Sequence, residues 1–173
     1  MADIGKKGEH ILPFLSKGVA KIALVVEDVE EAVKQYYNLF GIGPWHFYTF
    51  GVPILRKMTR FGKPSEFRIR AALSNMGETR IELIQQLEGD TVYADFLKEH
   101  GFGVQHIGVI VDDMKEAIAL AESRGISVVM EGVGYGLDGD GHFAYLDTEK
   151  LIGVMVELIE RPKRKHPPEK IYP

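Results

Sequence analysis

The chain repeats itself. KIALVVEDVEEAV, starting at Lys21, recurs as HIGVIVDDMKEAI, starting at His106, with a match in residue type at almost every position. A second echo sets RIELI from Arg80 against MVELI from Met155. Each copy therefore opens on a strand–helix unit and closes on an ELI strand. Self-similarity on this scale implies a duplicated module whose halves pack about a pseudo-two-fold axis. The polar positions that correspond across the copies are Lys21 with His106, and Glu82 with Glu157. Three of the four are good ligands for a metal ion, and the fourth is a cation.

The element pattern follows the repeat. Val19 to Val26 is apolar and β-branched and reads as a buried strand. Asp28 caps a helix, with Glu31 at capping-box spacing, and Val29, Ala32, Val33, Tyr36 and Phe40 make its apolar stripe. Gly41 and Pro44 end it. In the second copy Asp113 caps, Glu116 answers, and Gly125 stops the helix. Three strand-like runs follow each helix: Trp45 to Phe50, Glu66 to Ser74 and Thr79 to Gln86, then Ile126 to Val133, His142 to Asp147 and Gly153 to Ile159. The predicted unit is βαβββ, present twice. Boundaries are expected at 1–17 for an irregular lead-in, 18–88 for the first module, 89–101 for a linker helix, 102–160 for the second module and 161–173 for a proline-rich basic tail, solvated or draped on a partner.

Composition narrows the function classes. With 173 residues, 45% hydrophobic and 27% charged, the chain suits one compact soluble unit or two fused modules. A net charge of -4 with both signs mixed gives no general attraction to nucleic acid or an anionic membrane. Without cysteine there is no disulfide, thiolate site or thiol nucleophile, which fits a reducing interior. Lys6 and Lys7 precede an apolar stretch, Ile11 to Leu15, that Pro13 breaks; it is too short for a signal or a span, and a cytoplasmic location is expected.

Polar residues recurring at one place in four apolar strands need partners, because a buried charge must be paired or ligated. Strand alternation puts Lys21, Ala23 and Val25 on one face, and His106, Gly108 and Ile110 on one face. Other candidates have plainer readings. His142 in GLDGDGHFAY fits a surface hairpin better than a ligand loop, and the run has neither phosphate-loop nor EF-hand spacing. His46 lies in an aromatic strand that reads as core or as one wall of a pocket. Arg68 and Arg70 fit an exposed strand face or contacts to a substrate anion.

With these residues in view, the chain from about 19 to 160 resembles the vicinal oxygen chelate superfamily, which spans glyoxalases, bleomycin-resistance proteins and extradiol dioxygenases. FLKEHGFGVQHIGVIVDD resembles the stretch that joins the halves of methylmalonyl-CoA epimerases; FGIGPW and FAYLDTEKLIGVMVELIE resemble the wider glyoxalase-like group. The resemblance implies an α+β fold, two βαβββ modules forming a curled mixed sheet around a cavity. It implies metal ligands from the first and fourth strands of each module. By position these fall on Lys21, Glu82, His106 and Glu157.

The chain departs from the family at two places. Lys21 stands where metal-binding relatives carry histidine or glutamine, and Gln105-His106 stands where epimerases usually have a histidine pair. Two outcomes compete. In one, Glu82, His106 and Glu157 hold a divalent cation such as Zn, Mn, Co or Ni. In the other, the Lys21 ammonium pairs with both glutamates and the site is metal-free. The implied chemistry is isomerase or lyase action on a carbonyl compound with an acidic α-hydrogen, an acyl-CoA such as methylmalonyl-CoA or a keto acid. It runs through an enolate, with Glu82 and Glu157 as acid/base groups and Lys21 as catalytic electrophile if no metal binds. The alternative is a non-catalytic sequestering protein of the same fold. The expected partners are a small-molecule substrate and a second copy in a homodimer, with no nucleic acid and no membrane.

Overall fold

A computed structural model describes residues 12–173. The reading of Lys6 and Lys7, and most of the expected lead-in, fall outside the described residues. Pro13–Lys17 forms a single 3-10 turn. The first half contains β1 (Lys21–Val25), α1 (Val29–Phe40), β2 (Trp45–Phe50), a short hairpin of β3 (Lys57–Arg60) and β4 (Lys63–Pro64), β5 (Phe67–Met76) and β6 (Thr79–Gly89). Helix α2 (Val92–His100) leads to the second half: β7 (Gly103–Ile110), α3 (Met114–Ser123), β8 (Val128–Val133), β9 (His142–Leu146), a short α4 (Glu149–Ile152) and β10 (Met155–Glu160). A final strand, β11 (Lys170–Tyr172), ends the chain. Among the described residues no helix is long and apolar enough to cross a membrane.

The helices start where their caps are encoded. The Asp28 carboxylate accepts from the backbone N–H groups of Glu30 and Glu31, and Asp113 accepts from that of Glu116. Thr91 caps α2 through the Ala94 N–H. Gly41 closes α1 in the left-handed conformation (φ 67°), where a side chain would be strained.

The strands of the described residues join one sheet in the order β11-β2-β5-β6-β1-β7-β10-β9-β8-β3-β4. Its centre carries the duplication. β1 runs antiparallel to β7, while β6 lies parallel to β1 and β10 parallel to β7. The two modules of one chain thus pair directly, and the local axis passes between β1 and β7. One convex cluster joins α1 residues Val29 and Val33 to Trp45, Phe47 and Leu83; the other joins α3 residues Met114, Ala117 and Ala121 to Leu146 and Leu158. The third cluster lines the concave side, where α2 adds Val92 and Tyr93.

The ends of the sheet depart from a plain duplication. The segment between β2 and β5, which lies between two of the predicted strands and contains Pro53, Gly62 and Pro64, sends β3 across to pair with β8 in the other module. The tail is not solvated coil. Its residues 161–166 lie along the β8–β9 loop, through the Gly136–Lys165 bridge and the bond from Leu137 N–H to the Arg164 carbonyl. It then reaches β2, where β11 adds an edge strand and Glu169 accepts from Thr49. Both crossings tie the first module to the second and curl the sheet around its concave face.

Candidate functional site

The concave face holds a cavity of about 130 Å³. Most of its wall is apolar or aromatic: Phe50, Ile54, Ile69, Leu73 and Phe143 belong to it. Its charged part is built by two rows of residues across the sheet. Register sets Arg80, Lys21, Gly108, Glu157 and Tyr145 side by side in one row, and Leu73, Glu82, Ala23, His106 and Met155 in the other. Each module supplies a carboxylate on its closing strand, and beside each carboxylate lies a small residue, Ala23 next to Glu82 and Gly108 next to Glu157. The gaps are needed. A Cβ at Gly108 would stand 2.9 Å from Glu157 Oε2, 2.8 Å from Ile159 Cδ1 and 3.1 Å from Lys21 Cε.

Lys21, Glu82 and Glu157 line this space, and His106 meets them from the buried side. Lys21 Nζ lies 2.5 Å from Glu82 Oε2 and 2.7 Å from Glu157 Oε2. His106 Nε2 lies 3.3 Å from Glu157 Oε2 and 3.8 Å from Glu82 Oε2. All four are buried, and His106 is fully so. A bulge in β7 explains how Gln105 and His106 both turn inward: the pairing steps from Ala23↔His106 to Leu24↔Val104 and leaves Gln105 extra. The Gln105 amide nitrogen faces Met155 Sδ at 3.3 Å, so its oxygen accepts from His106 Nδ1 at 2.7 Å. The imidazole is thereby aimed with Nε2 toward the carboxylates. Gln105 stands behind the histidine as its orienting partner.

The electrostatics follow from burial and contact. Desolvation works to lower the Lys21 pKa, but the Glu157 and Glu82 carboxylates outweigh it and hold the ammonium above the ordinary lysine value. For Glu157, burial favours the neutral acid, yet Lys21 and then His106 reverse this and bring its pKa to about 2. The Tyr145 hydroxyl donates to Glu157 Oε1 at 3.1 Å and shares a 2.6 Å bond with the Tyr93 hydroxyl. Burial, reinforced by the charge of Glu157, raises both phenols well above their usual range. Neither tyrosine was singled out from sequence. Tyr145 occupies an inward position of β9 beside Glu157, which strand alternation makes readable once the register is known; Tyr93 comes from the linker helix, whose placement no local pattern encodes.

Glu82 Oε2, Glu157 Oε2 and His106 Nε2 are buried and face one centre, the donor chemistry of a divalent-metal site. Lys21 Nζ, however, stands where both carboxylates meet. Among the described residues no group of His, Cys, Asp or Glu is arranged to hold a metal ion. With Lys21 in this position the residues do not fit a bound divalent cation: two positive centres would compete for one pair of oxygens.

The other candidates lie away from this centre. Arg68 pairs with Glu88, and Arg70 bonds Glu30 of α1 at 2.7 Å, so both are engaged on the outer side of the sheet. His142 bonds Glu131 at 2.8 Å across β8 and β9. The aromatic run of β2 divides by alternation: Trp45 and Phe47 pack under α1, while Tyr48 and Phe50 line the cavity.

This geometry agrees with what the chain is similar to. Human mitochondrial methylmalonyl-CoA epimerase is 28% identical over 138 residues, covering 79% of this chain and 70% of that protein. The crystal structure of methylmalonyl-CoA epimerase from Mycobacterium tuberculosis superposes with a TM-score of 0.62 at 23% identity, covering 84% of this chain and 89% of that one. A Streptomyces coelicolor methylmalonyl-CoA epimerase variant in complex with 2-nitronate-propionyl-CoA gives 0.60 at 19% identity, covering 82% and 95%. At these identities the structural matches speak for the fold. The profile of the glyoxalase/bleomycin resistance protein/dioxygenase superfamily matches residues 20–145, most of the chain, and the protein belongs to that superfamily.

Proposed function

We propose that the protein is an epimerase-like isomerase that forms an enolate from a carbonyl compound with an acidic α-hydrogen, using the Lys21 ammonium as its electrophile. The observation that carries this reading is the buried ammonium between Glu82 and Glu157 at a largely apolar cavity. Enolisation needs a positive group at the carbonyl oxygen and a base beside the α-carbon. Lys21 and the two glutamates supply both from one point.

Substrate entry would also create the base. When the carbonyl oxygen accepts from Lys21, the ammonium is drawn off the carboxylates. The attraction that holds Glu157 near a pKa of about 2 weakens, the cost of desolvation remains, and carboxylate basicity rises. Glu82 is the freer of the two, since Glu157 is also held by Tyr145 and faces His106 more closely. In our reading Glu82 takes the α-proton, the electron pair passes into the enolate, and Lys21 stabilises the oxygen. Epimerisation is completed when Glu157, having taken a proton from solvent once Lys21 has moved to the substrate oxygen, delivers it to the opposite face, and Glu82 then releases the proton it took to solvent. The similarity to methylmalonyl-CoA epimerases makes 2-substituted acyl-CoA thioesters the first substrates to try.

The test is solvent exchange. Protein incubated in D₂O with racemic methylmalonyl-CoA, other 2-methyl acyl-CoA thioesters and 2-oxo acids should incorporate α-deuterium into at least one of them. Exchange should fall at least a hundredfold in Glu82→Gln. Tight binding of these compounds with no exchange would instead favour the sequestering function, for which a locked lysine–glutamate cluster suffices.

A further inference from the structure

The cavity has a second charged region that the enolate chemistry does not use. Arg80, Arg161, Lys165 and His166 belong to its wall. Arg60, Arg68, Arg70 and Arg164 each have a carboxylate partner. Arg80, Arg161 and Lys165 have none among the described residues, and the cavity's own carboxylates, Glu82 and Glu157, are taken by Lys21. Lys165 lies close enough to both arginines for them to oppose its charge. Desolvation, then Arg80 and Arg161, lower the Lys165 pKa. Like charges gathered at a cavity without a counterion are costly unless an anion is brought to them.

Topology explains the gathering. β6 and β10 run in opposite directions through the pair β1–β7. Arg80, two residues before Glu82, and Arg161, four residues after Glu157, therefore reach the same end of the cavity from the two modules. The tail delivers the third cation. The Lys163 N–H donates to Asp140 Oδ2, the Gly136–Lys165 bridge fixes the backbone, and β11 anchors the far side on β2. Residues 161–169 thus form a strap that spans from the second module to the first and holds Lys165 at the cavity wall.

Resting on the enolate reading for the other end of the ligand, we infer that Arg80, Arg161 and Lys165 form an anion-binding mouth. The substrate is then a carbonyl compound with an apolar body and a carboxylate or phosphate at its far end. Arg80 stands beside Lys21 in the same row, whereas Arg161 lies four residues beyond Glu157, on the order of 13 Å along the chain. An anion held by Arg161 and Lys165 is too far out to be the carboxylate of a 2-oxo acid whose ketone sits at Lys21.

Rigid probes test this without any turnover. Calorimetry would compare 4-acetylbenzoate, 4-acetylphenyl phosphate and the uncharged 4-acetylbenzamide, which share one ketone and one ring. At least one anionic probe should bind tenfold or more tightly than the amide. Lys165→Gln and Arg161→Gln, both at exposed positions, should each weaken that probe about three- to tenfold and leave the amide unchanged. Raising NaCl from 20 to 300 mM should weaken the anion only, a check that needs no variant. The better of the two anions distinguishes a carboxylate substrate from a phosphorylated one. Equal affinity for charged and neutral probes, indifference to both substitutions, or no binding of either anion at millimolar concentration overturns the inference. Failed deuterium exchange with preserved anion selectivity removes the enolate reading and leaves the mouth standing.

Discussion

The two modules present the same row of positions to the cavity and fill them differently. In the first, Glu82 has Ala23 on one side and Leu73 on the other; in the second, Glu157 has Gly108 and Tyr145. The first strand brings an ammonium and the second an imidazole. Glu157 is consequently held by Lys21, Tyr145 and the facing His106, whereas Glu82 has Lys21 and a more distant histidine. Duplication delivered two equivalent carboxylates, and divergence at their neighbours made one an anchored anion and the other a less constrained one. The positive centre is shared, and it comes from one module alone.

Removing that centre should have the largest effect. Lys21→Met leaves two buried carboxylates facing each other, and loss of one partner of a buried ion pair costs about 3–5 kcal/mol. Urea unfolding should show a loss of this size, several times that of an exposed lysine such as Lys34→Met. Lys21→His goes further and makes the modules alike. It supplies two imidazoles and two carboxylates around one point, so Zn²⁺ or Mn²⁺ should bind stoichiometrically and raise its melting temperature. The native chain should show no such rise. Stoichiometric metal in the native protein after supplementation would sink the view that Lys21 stands in the cation's place.

The next test concerns the small residues. Ala23 already carries a Cβ beside Glu82, but one at Gly108 would press on Glu157 Oε2, Ile159 Cδ1 and Lys21 Cε. Overpacking of this kind typically costs about 1–3 kcal/mol. Gly108→Ala should lose stability in that range and disturb the Lys21–Glu157 contact, while Ala23→Gly should leave the ion pair intact. Equal effects on Lys21 titration, followed by ¹⁵N-lysine NMR, would mean the two gaps are equivalent after all.

What could be read in advance follows from where the information lies. Lys21, Glu82, His106 and Glu157 were legible because a repeat converts sequence correspondence into spatial correspondence, and strand alternation then decides the face. Helix starts at Asp28 and Asp113 were legible because caps are local. The cationic tail was not: Lys163 and Lys165 find their places through the β8–β9 loop, and a basic, proline-rich segment looks the same in sequence whether it docks or stays in water. The β3 crossing was hidden for a related reason, since a four-residue strand between Pro53 and Gly62 pairs with a partner 70 residues away. The bulge at Gln105 is a similar case. Only the register shows that its side chain orients His106 from behind.

The smallest and sharpest effect belongs to Tyr145, the neighbour that Leu73 does not match. Glu157 has a folded pKa of about 2 against an ordinary value of 4.5, so the stability it contributes is fully present above the ordinary value and is lost as pH falls toward 2. Lys21 acts at the other limb: its raised pKa contributes stability throughout the neutral range, lost only at strongly alkaline pH. Tyr145→Phe removes a donor to the charged form of Glu157 and leaves the lysine in place. A hydrogen bond to a charged group contributes about 1.5–3 kcal/mol, so a loss near the lower end of that range is expected. The more discriminating readout is the acid limb. With one donor fewer, the Glu157 pKa rises, and stability should begin to fall at higher pH in the variant while the alkaline limb stays where it is. Leu73→Ala, on the matching position beside Glu82, should lower the whole curve without displacing the acid limb. If both variants shift the acid limb alike, the carboxylates are equivalent, and the asymmetry that singles out Glu82 as the base disappears.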